Sequence, residues 1–325
     1  MVKPVVTVIL PAKDAGAYIA TTLTTLARQF DDIARLKLVA IDDGSRDDTG
    51  GQMRHYAERF AHAEVLGNPE PVGLASARNQ GLARVEGDYY CFVDGDDWMQ
   101  PLRLQALVAS MQALGTDFVR TDHVTATEGS RRLVRAPFAW RGRALSPRDA
   151  ILPADESTMV DYPYAWAGMF HRRTIDEGLA AFPEGLFTAE DRPWIWRLHL
   201  GAGSFAVVDA PTLLYRRDVT GSLTQILDRR QLDFLPAFAQ ALDAVEADPE
   251  ADRFRPKIVA TTLAVCSHHL FRARGMAVAD RARLRTGIRD LVARMPDAEF
   301  DAALARLSDR RRRLLARTVR EVRRA

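Results

Sequence analysis

The chain has 325 residues, of which 47% are hydrophobic and 27% are charged. This balance excludes wholesale disorder and collagen-like structure, and the length predicts one large domain with an appendage, or two domains. Forty-five basic against forty-three acidic residues give a net charge of +2, which favours neither nucleic acid nor any other polyanionic partner. Two cysteines, Cys91 and Cys266, are too few to staple a fold of this size, so we expect both to be reduced and buried.

Two features of the chain bear on membranes. No apolar stretch approaches the ~20 residues needed to span a bilayer, and the N-terminus lacks the layout of a signal peptide, so we expect a cytoplasmic protein. Residues 308–325 hold eight arginines against Asp309 and Glu321. This arginine-rich end is either a solvated helix face whose leucines pack inward, or a cationic surface for an acidic polymer or for the inner face of an anionic membrane.

The first hundred residues alternate between short apolar runs and segments of helical spacing. The apolar runs predict strands at 5–10, 36–41, 64–66 and 89–93, and the helical spacing predicts helices at 18–30, 53–61 and 75–84. This alternation indicates an α/β fold with a Rossmann-like, largely parallel sheet flanked by helices on both faces.

Acidic residues follow several of the predicted strands. Asp14 lies after the first strand, Asp42 and Asp43 after the second, and an acidic cluster at 94–97 after the fourth. Ligands gather at the carboxyl ends of the strands in sheets of this type. The sequence therefore predicts a binding site at this edge of the sheet.

The rest of the chain changes character twice. Residues 115–220 are less regular, with short apolar runs such as 205–208, and long helical patterns continue from about residue 228 to the end. We therefore predict a catalytic α/β domain over residues 1–225 and a helical module over residues 226–325. Acceptor binding, oligomer formation and membrane docking are all open as roles for this module.

The sequence Asp94-Gly95-Asp96-Asp97 is the strongest candidate for metal binding. Three carboxylates within four residues repel one another unless a cation or hydrogen-bond donors compensate them. Hard oxygen ligands favour Mg²⁺ or Mn²⁺, which commonly bridge a protein carboxylate to substrate phosphates. The alternative is a plain turn, because aspartate is common in turns and Asp-Gly is a turn signal.

Two further segments carry candidate residues. Residues 73–81 form a glycine-bounded helix with Arg78 in its first turns, where a guanidinium can bind a phosphate, although an ordinary surface arginine is the alternative. The segment matches neither the dinucleotide fingerprint nor the phosphate loop of P-loop NTPases. Glu190 and Asp191 precede a helical pattern and either stabilise the helix dipole or place a carboxylate for proton transfer.

These segments occur in an order that resembles the family 2 glycosyltransferases, enzymes of the GT-A fold. The matching segments, which together span about two-thirds of the chain, are VTVILP at 6–11, IDDGS at 41–45, GLASARNQG at 73–81, FVDGDDW at 92–98, TAED at 188–191, YRR at 215–217 and GSLT at 221–224. Each motif is weak alone, and their order and spacing make the resemblance specific.

The resemblance implies a nucleotide pocket formed by the first half of the chain. Pro11 and Asp14 would belong to this pocket, Asp42 or Asp43 would meet a uracil ring, and Arg78 would lie beside the base and the diphosphate. The chain departs from the family at Lys13-Asp14, where a tyrosine–asparagine pair is frequent, and this puts the base contacts in doubt.

The resemblance also implies the chemistry. Asp94-Gly95-Asp96 looks like the family's D-x-D motif, in which Asp94 would face the ribose and Asp96 would hold Mn²⁺ or Mg²⁺. Asp191 resembles the catalytic base of inverting members. The residues that would form a diphosphate lid or contact the acceptor are Glu190, Arg216, Ser222, Thr224 and Trp98.

The sequence therefore predicts an inverting, metal-dependent glycosyltransferase. It would move a hexosyl or N-acetylhexosaminyl group from a nucleotide-sugar, in the first place a UDP-sugar, to a hydroxyl of a glycan, a cell-wall polymer or a lipid-linked acceptor. The Q-x-x-R-W signature of processive synthases is absent, which favours single additions. A nucleotidyltransferase and a catalytically inactive sugar-nucleotide or glycan-binding module are the alternatives, and a homo-oligomer is left open.

Overall fold

The computed structural model describes residues 3–217 and 228–320, which form two compact units. The first unit comprises the described residues of 1–147, 164–185 and 201–220, and the second those of 148–163, 186–200 and 221–325. Two segments predicted for the catalytic domain, 148–163 and 186–200, thus belong to the second unit. The predicted boundary near residue 225 lies outside the described residues and stays a prediction.

The first unit contains all the strands of the described residues. Their bounds are β1 Val6–Ala12, β2 Leu36–Asp42, β3 His62–Gly67, β4 Tyr89–Phe92, β5 Trp98–Met99, β6 Phe118–Arg120, β7 His123–Ala126, β8 Arg131–Val134, β9 Gly168–His171, β10 Phe205–Val207 and β11 Leu213–Arg216. The main sheet has the order β10-β6-β9-β4-β1-β2-β3. Its strands are parallel except β9, which runs antiparallel to both β4 and β6.

A second, four-stranded sheet has the order β5-β11-β7-β8. Strand β11 pairs with β5 in antiparallel fashion and with β7 in parallel fashion. This pairing places Leu214 opposite Trp98 and so brings a strand from residues 213–216 to the segment that follows β4. The small sheet therefore joins two parts of the chain that are distant in sequence.

The helices of the first unit flank the main sheet, as predicted. They are α1 Ile19–Leu26, α2 Thr49–Ala57, α3 Leu74–Leu82, α4 Arg103–Leu114 and the short α5 Arg173–Asp176. Helix α3 packs closely on β1 at Gly81. A Cβ atom at this position would lie only 2.3 Å from Cγ2 of Ile9, so a larger residue would not fit. The mixed sheet with flanking helices confirms the predicted fold class. Cys91 and Cys266 are free and buried, as expected.

The second unit is helical. Its helices are α6 Asp191–Gly201, α7 Phe234–Glu246, α8 Ala251–Arg272, α9 Val278–Ala293, α10 Asp297–Arg306 and α11 Asp309–Val319. The last residue of α6, Gly201, is assigned to the first unit. Within the described residues, no helix is long and apolar enough to cross a membrane.

Partly buried ion pairs attach the segment 148–163 to the helical part of the second unit. Arg148 donates to both carboxylate oxygens of Asp248 at 2.9 and 2.6 Å, and the side chain of Asp248 is 8% exposed. Lys257, whose side chain is 3% exposed, donates to Asp161 at 2.5 Å. These pairs join residues about one hundred positions apart. Sequence patterns, which are local, therefore did not indicate that residues 148–163 belong to the second unit.

His269 makes the stability of the second unit sensitive to acid. Its ring stacks on Phe234 with a centroid separation of 4.0 Å. Burial, then the charges of His268, Arg272 and Arg192, lower the pKa of His269 from 6.5 to about 4. Between these values the unfolded chain binds a proton that the folded chain does not, so the free energy of unfolding falls as the pH drops from 6.5 towards 4.

We expect His269→Phe to remove this loss while keeping the stack on Phe234. The wild type should lose about 2–3 kcal/mol more unfolding free energy than the variant between pH 7 and pH 4.5, measured by urea unfolding. His55→Phe, at an exposed position, is the control and should follow the wild type. Equal acid sensitivity of the wild type and His269→Phe would refute the explanation.

Candidate active site

The candidate site is centred on the acidic loop at residues 93–97, which leaves the carboxyl end of β4. Gly95 packs against β1, and a Cβ atom on it would lie 2.5 Å from the Cβ of Ala12. The hydroxyl of Thr22 lies 3.0 Å from the Gly95 carbonyl and 2.6 Å from the Asp97 carbonyl. A glycine and a buried hydroxyl thus hold the acidic loop beside the end of β1.

Three carboxylates crowd this loop. Burial, and then the charge of Asp94, raise the pKa of Asp96 from 3.8 to about 6. Burial, and then the charges of Asp96 and Asp94, raise the pKa of the fully buried Asp97 well above its usual value. The loop therefore holds more negative charge than its surroundings compensate, a property typical of carboxylates that bind a cation.

Arg216 on β11 is bound to the acidic loop. Its backbone N–H donates to Oδ1 of Asp97 at 2.8 Å, and its Nε donates to the Asp96 carbonyl at 2.9 Å. Its guanidinium lies over the ring of Trp98 at 4.5 Å and over the ring of Tyr18 at 4.8 Å. The structure therefore brings Arg216 and Trp98 to Asp96, with the cation oriented by two aromatic rings.

Arg78 on α3 also contacts the acidic loop. Its Nη2 donates to Oδ1 of Asp94 at 3.0 Å, and its side chain is only 4% exposed. The guanidinium lies 5.1 Å from the ring centroid of Phe182 and 5.8 Å from that of Phe92. Arg78 thus makes an ion pair with Asp94, while contact with a diphosphate stays a prediction.

Hydrogen bonds connect the loop that follows β1 to the loop that follows β2. Pro11 is a buried residue of β1, and Asp14 adopts a positive φ of 51° just beyond the strand. Oδ1 of Asp14 accepts from the Arg46 backbone N–H at 2.8 Å, and the Asp14 N–H donates to the Ser45 hydroxyl at 3.0 Å. The bond from Arg46, then that from Lys13, lower the pKa of Asp14, so this carboxylate is charged at neutral pH.

The two aspartates at the end of β2 have different surroundings. Asp43 is 5% exposed, and its two carboxylate oxygens accept from the backbone N–H groups of Val72 and Gly73 at 2.8 and 2.9 Å. This carboxylate thereby fixes the loop before α3. Asp42 is partly exposed and accepts from the Ser45 backbone N–H at 3.1 Å.

Glu190 and Asp191 belong to the second unit. Asp191 is the first residue of α6 and its side chain is 28% exposed, whereas Glu190 is buried. The segment before them is anchored within this unit, since the Thr188 hydroxyl donates to the Arg230 carbonyl at 2.7 Å. The other predicted lid residues, Ser222 and Thr224, lie outside the described residues.

An aromatic cluster beside the acidic loop was not predicted as a unit. Trp166 stacks on Tyr164 at 4.9 Å between centroids, contacts Tyr215 at 4.9 Å, and meets the buried His123 edge-on at 4.8 Å. Burial raises the pKa of Tyr215 to about 12, with smaller contributions from the charges of nearby aspartates in the acidic loop. The cluster supplies ring surface next to the loop, and its members come from three separate segments of the chain.

The residues of the acidic loop fit a divalent cation. Oδ2 of the buried Asp97 has no hydrogen-bond partner among the described residues, and Asp96 is crowded by Asp94. Carboxylate oxygens are the ligands that Mg²⁺ and Mn²⁺ prefer. Across residues 3–217 and 228–320, no three His, Cys, Asp or Glu side chains are grouped so as to hold a metal ion by themselves. A cation at this loop would therefore take further ligands from substrate.

A Rossmann-like mixed sheet with an Asp-x-Asp loop at its carboxyl edge is what the resemblance to the family 2 glycosyltransferases predicts, and comparisons with known proteins test that resemblance. The model of the glycosyl transferase family 2 matches residues 7–174, more than half of the chain. The chain therefore belongs to glycosyl transferase family 2, which confirms the resemblance found in the sequence.

Named relatives and solved structures agree with this membership. The chain is 26% identical over 233 residues to the uncharacterized glycosyltransferase EpsJ of Bacillus subtilis (strain 168), a match that covers 71% of this chain and 66% of EpsJ. The structure of S. aureus TarS 1–349 in complex with UDP-GlcNAc has a TM-score of 0.76, at 17% identity, and the match covers 98% of this chain and 92% of that one. That likeness shows the same fold.

A more distant structural likeness is to the mannosyltransferase PcManGT from Pyrobaculum calidifontis, in complex with GDP-Man and Mn²⁺. Its TM-score is 0.53 at 18% identity, and the match covers 98% of this chain and 88% of that one. Solved structures of this fold therefore include one in complex with UDP-GlcNAc and another in complex with GDP-Man.

Arg78 offers a test of how the acidic loop is oriented. We expect Arg78→Met to leave Asp94 without this guanidinium and to weaken Mn²⁺ affinity, in the presence of UDP, by about 10–100-fold. Arg84→Met, which removes a half-exposed arginine just after α3, is the matched control and should bind as the wild type. Calorimetric titration provides the affinities, and unchanged affinity in Arg78→Met would refute the orienting role.

Proposed function

We propose that the protein is an inverting, metal-dependent glycosyltransferase that uses a UDP-sugar. The donated group would be a hexosyl or N-acetylhexosaminyl residue, and the acceptor a hydroxyl of a glycan, cell-wall polymer or lipid-linked saccharide. The observation that carries the proposal is the acidic loop at the carboxyl edge of a family 2 sheet. Arg78 donates to the carboxylate of Asp94, and Arg216 donates to the carbonyl of Asp96.

The donor nucleotide is proposed to lie across the ends of β1, β2 and β4. In this arrangement Pro11 and Asp14 border the nucleotide, and Asp94 with Gly95 faces the ribose. Between the two aspartates after β2, we assign the base contact to Asp42, because the carboxylate of Asp43 is occupied by backbone donors. TarS, with UDP-GlcNAc bound, supports the choice of uridine.

The chemistry needs a leaving group, a nucleophile and a base. Asp96 would hold a divalent cation, which would supply Lewis-acid neutralisation of the charge that develops on the diphosphate. Arg216, held between Tyr18 and Trp98, is proposed to add a positive charge on the same side. Asp191 takes the proton from the acceptor hydroxyl as the hydroxyl oxygen attacks the anomeric carbon. The bond between that carbon and the diphosphate breaks, and the nucleotide leaves with the electron pair. Attack from the opposite face inverts the anomeric centre.

The proposal is tested by incubating the protein with UDP-sugars, Mn²⁺ and candidate hydroxyl acceptors. We expect release of UDP that depends on the acceptor, and a product whose anomeric configuration, determined by NMR, is opposite to that of the donor. Retention of configuration would refute the single displacement. Consumption of a nucleoside triphosphate with release of pyrophosphate would favour a nucleotidyltransferase, and binding without turnover would favour a sugar-nucleotide-binding module.

A further inference from the structure

Two adjoining surface cavities lie in the second unit, where α8, α9 and α11 pack together. Their volumes are about 210 and 370 Å³, and they share Leu270, Leu314 and Arg317 in their walls. The apolar side chains of α8 and α11 thus line both cavities. Neither cavity involves a residue assigned above to sugar transfer.

Arginines surround both cavities in two helical rows. Residues 281, 285 and 289 on α9 are four apart and border one cavity, while residues 310, 313 and 317 on α11 are three or four apart and border the other or both. Side chains at these spacings lie on the same face of a helix. Arg274, in the turn between α8 and α9, extends the arginines to one end of the groove. We call these side chains the arginine groove.

Within residues 3–217 and 228–320, much of this charge is not neutralised. The acidic residues at the starts of α9 and α11 pair with arginines outside the groove, Asp280 with Arg283 at 2.9 Å and Asp309 with Arg312 at 2.5 Å. Among the described residues, no carboxylate lies within 4.0 Å of Arg274, Arg285, Arg313 or Arg317, and all four are exposed. Charges left in this way attract an external anion.

Two apolar side chains are exposed on the helices that carry the arginine groove or border it. Phe271, at the end of α8, is 47% exposed, and Val278, at the start of α9, is 73% exposed. Arg310 lies over the ring of Phe271 at 4.4 Å. Exposed aromatic and aliphatic side chains beside a row of arginines are the combination that binds a membrane interface, because the rings enter the acyl boundary while the guanidinium groups meet the headgroups.

We infer that the arginine groove docks the protein on a membrane surface that contains anionic phospholipid. The phosphodiester headgroup would bind the guanidinium groups of the two helical rows, and Phe271 with Val278 would enter the outer edge of the hydrocarbon. A second copy of the chain is a poor occupant, since two such cationic faces repel each other. A polyanion in solution would leave the exposed phenylalanine and valine unused.

The test is co-sedimentation of the full chain with vesicles of phosphatidylcholine, with and without phosphatidylglycerol. We expect binding to the anionic vesicles that weakens as salt is raised, and little binding to the neutral ones. The triple variant Arg274→Gln, Arg313→Gln, Arg317→Gln should bind about a hundredfold more weakly, at about fivefold for each arginine. Phe271→Ser with Val278→Ser should weaken binding even at the lowest salt.

The controls remove the same charges and apolar groups elsewhere. One control is the triple variant Arg131→Gln, Arg132→Gln, Arg135→Gln, which removes three exposed arginines from the first unit. The other is Leu133→Ser, which removes an exposed apolar side chain. These variants should bind vesicles as the wild type does. Equal binding by the groove variants and the controls would overturn the inference, as would equal binding to neutral vesicles. Arginine-dependent binding of soluble polyphosphate, without vesicle binding, would overturn it in favour of a soluble polyanion.

Discussion

Asp191→Asn is expected to lower the rate of sugar transfer by about 10²–10⁴-fold while leaving the affinity for UDP-sugar and Mn²⁺ unchanged. The proposed role of Asp191 is to accept the proton of the attacking hydroxyl, and an amide cannot accept it. The donor is assigned to the strand ends of the first unit, which the substitution does not alter. Single-turnover assays of the product, beside calorimetric titration of the donor, separate the two effects.

The control for this prediction is Asp176→Asn, which removes one negative charge from an exposed position on α5. It should transfer sugar at the wild-type rate. Glu190→Gln adds a sharper comparison, because it changes the carboxylate next to Asp191 in sequence. Undiminished turnover in Asp191→Asn would exclude it as the base, and loss only in Glu190→Gln would move the role to Glu190.

Asp96→Asn is expected to abolish Mn²⁺-dependent stabilisation by UDP and, without metal, to make the fold more stable at pH 7. The pKa of Asp96 is raised to about 6, so the folded chain holds a proton between pH 4 and 6 that the unfolded chain releases. In metal-free protein this carboxylate therefore costs stability as the pH rises through that range, by about 1–3 kcal/mol at pH 7. An uncharged amide would remove most of that cost.

Unfolding of metal-free protein at pH 5 and pH 7 checks both parts of this prediction. The wild type should gain stability relative to Asp96→Asn as the pH is lowered, and the variant should show no shift with Mn²⁺ and UDP. Asp88→Asn, at an exposed position just before β4, should behave as the wild type. A less stable metal-free Asp96→Asn, or one that still responds to Mn²⁺, would contradict the assignment.

The sheet and its acidic edge were predictable because local pattern determines them. The strands β1, β2 and β4 are apolar runs, and the aspartates that follow them stand where parallel strands end. Helix α2 begins at Thr49, four residues before the predicted start, because Oδ1 of Asp47 accepts from its N–H at 3.0 Å. Gly50 looks like a helix breaker, yet a Cβ there would lie 2.3 Å from the carboxylate of Asp42, so the glycine permits the close approach.

Contacts between distant residues were not predictable. Asp97 and Arg216 are 119 positions apart, and no local pattern indicates that a backbone N–H of β11 binds a carboxylate after β4. The aromatic cluster of Trp166 has the same difficulty, since its members come from separate segments. Strands of two to four residues, such as β5 and β7, are too short for alternation to reveal them.

The most direct test of the account is thermal unfolding of the wild type with UDP, GDP, CDP or TDP, each with and without Mn²⁺. A ligand at ~100 times its dissociation constant stabilises a fold by ~2.7 kcal/mol, which is easily measured. We predict a shift with UDP that requires Mn²⁺ and is absent from Asp96→Asn. A larger Mn²⁺-dependent shift with another diphosphate would change the donor base, and no shift with any of them would contradict the proposal of a metal-dependent nucleotide-sugar site.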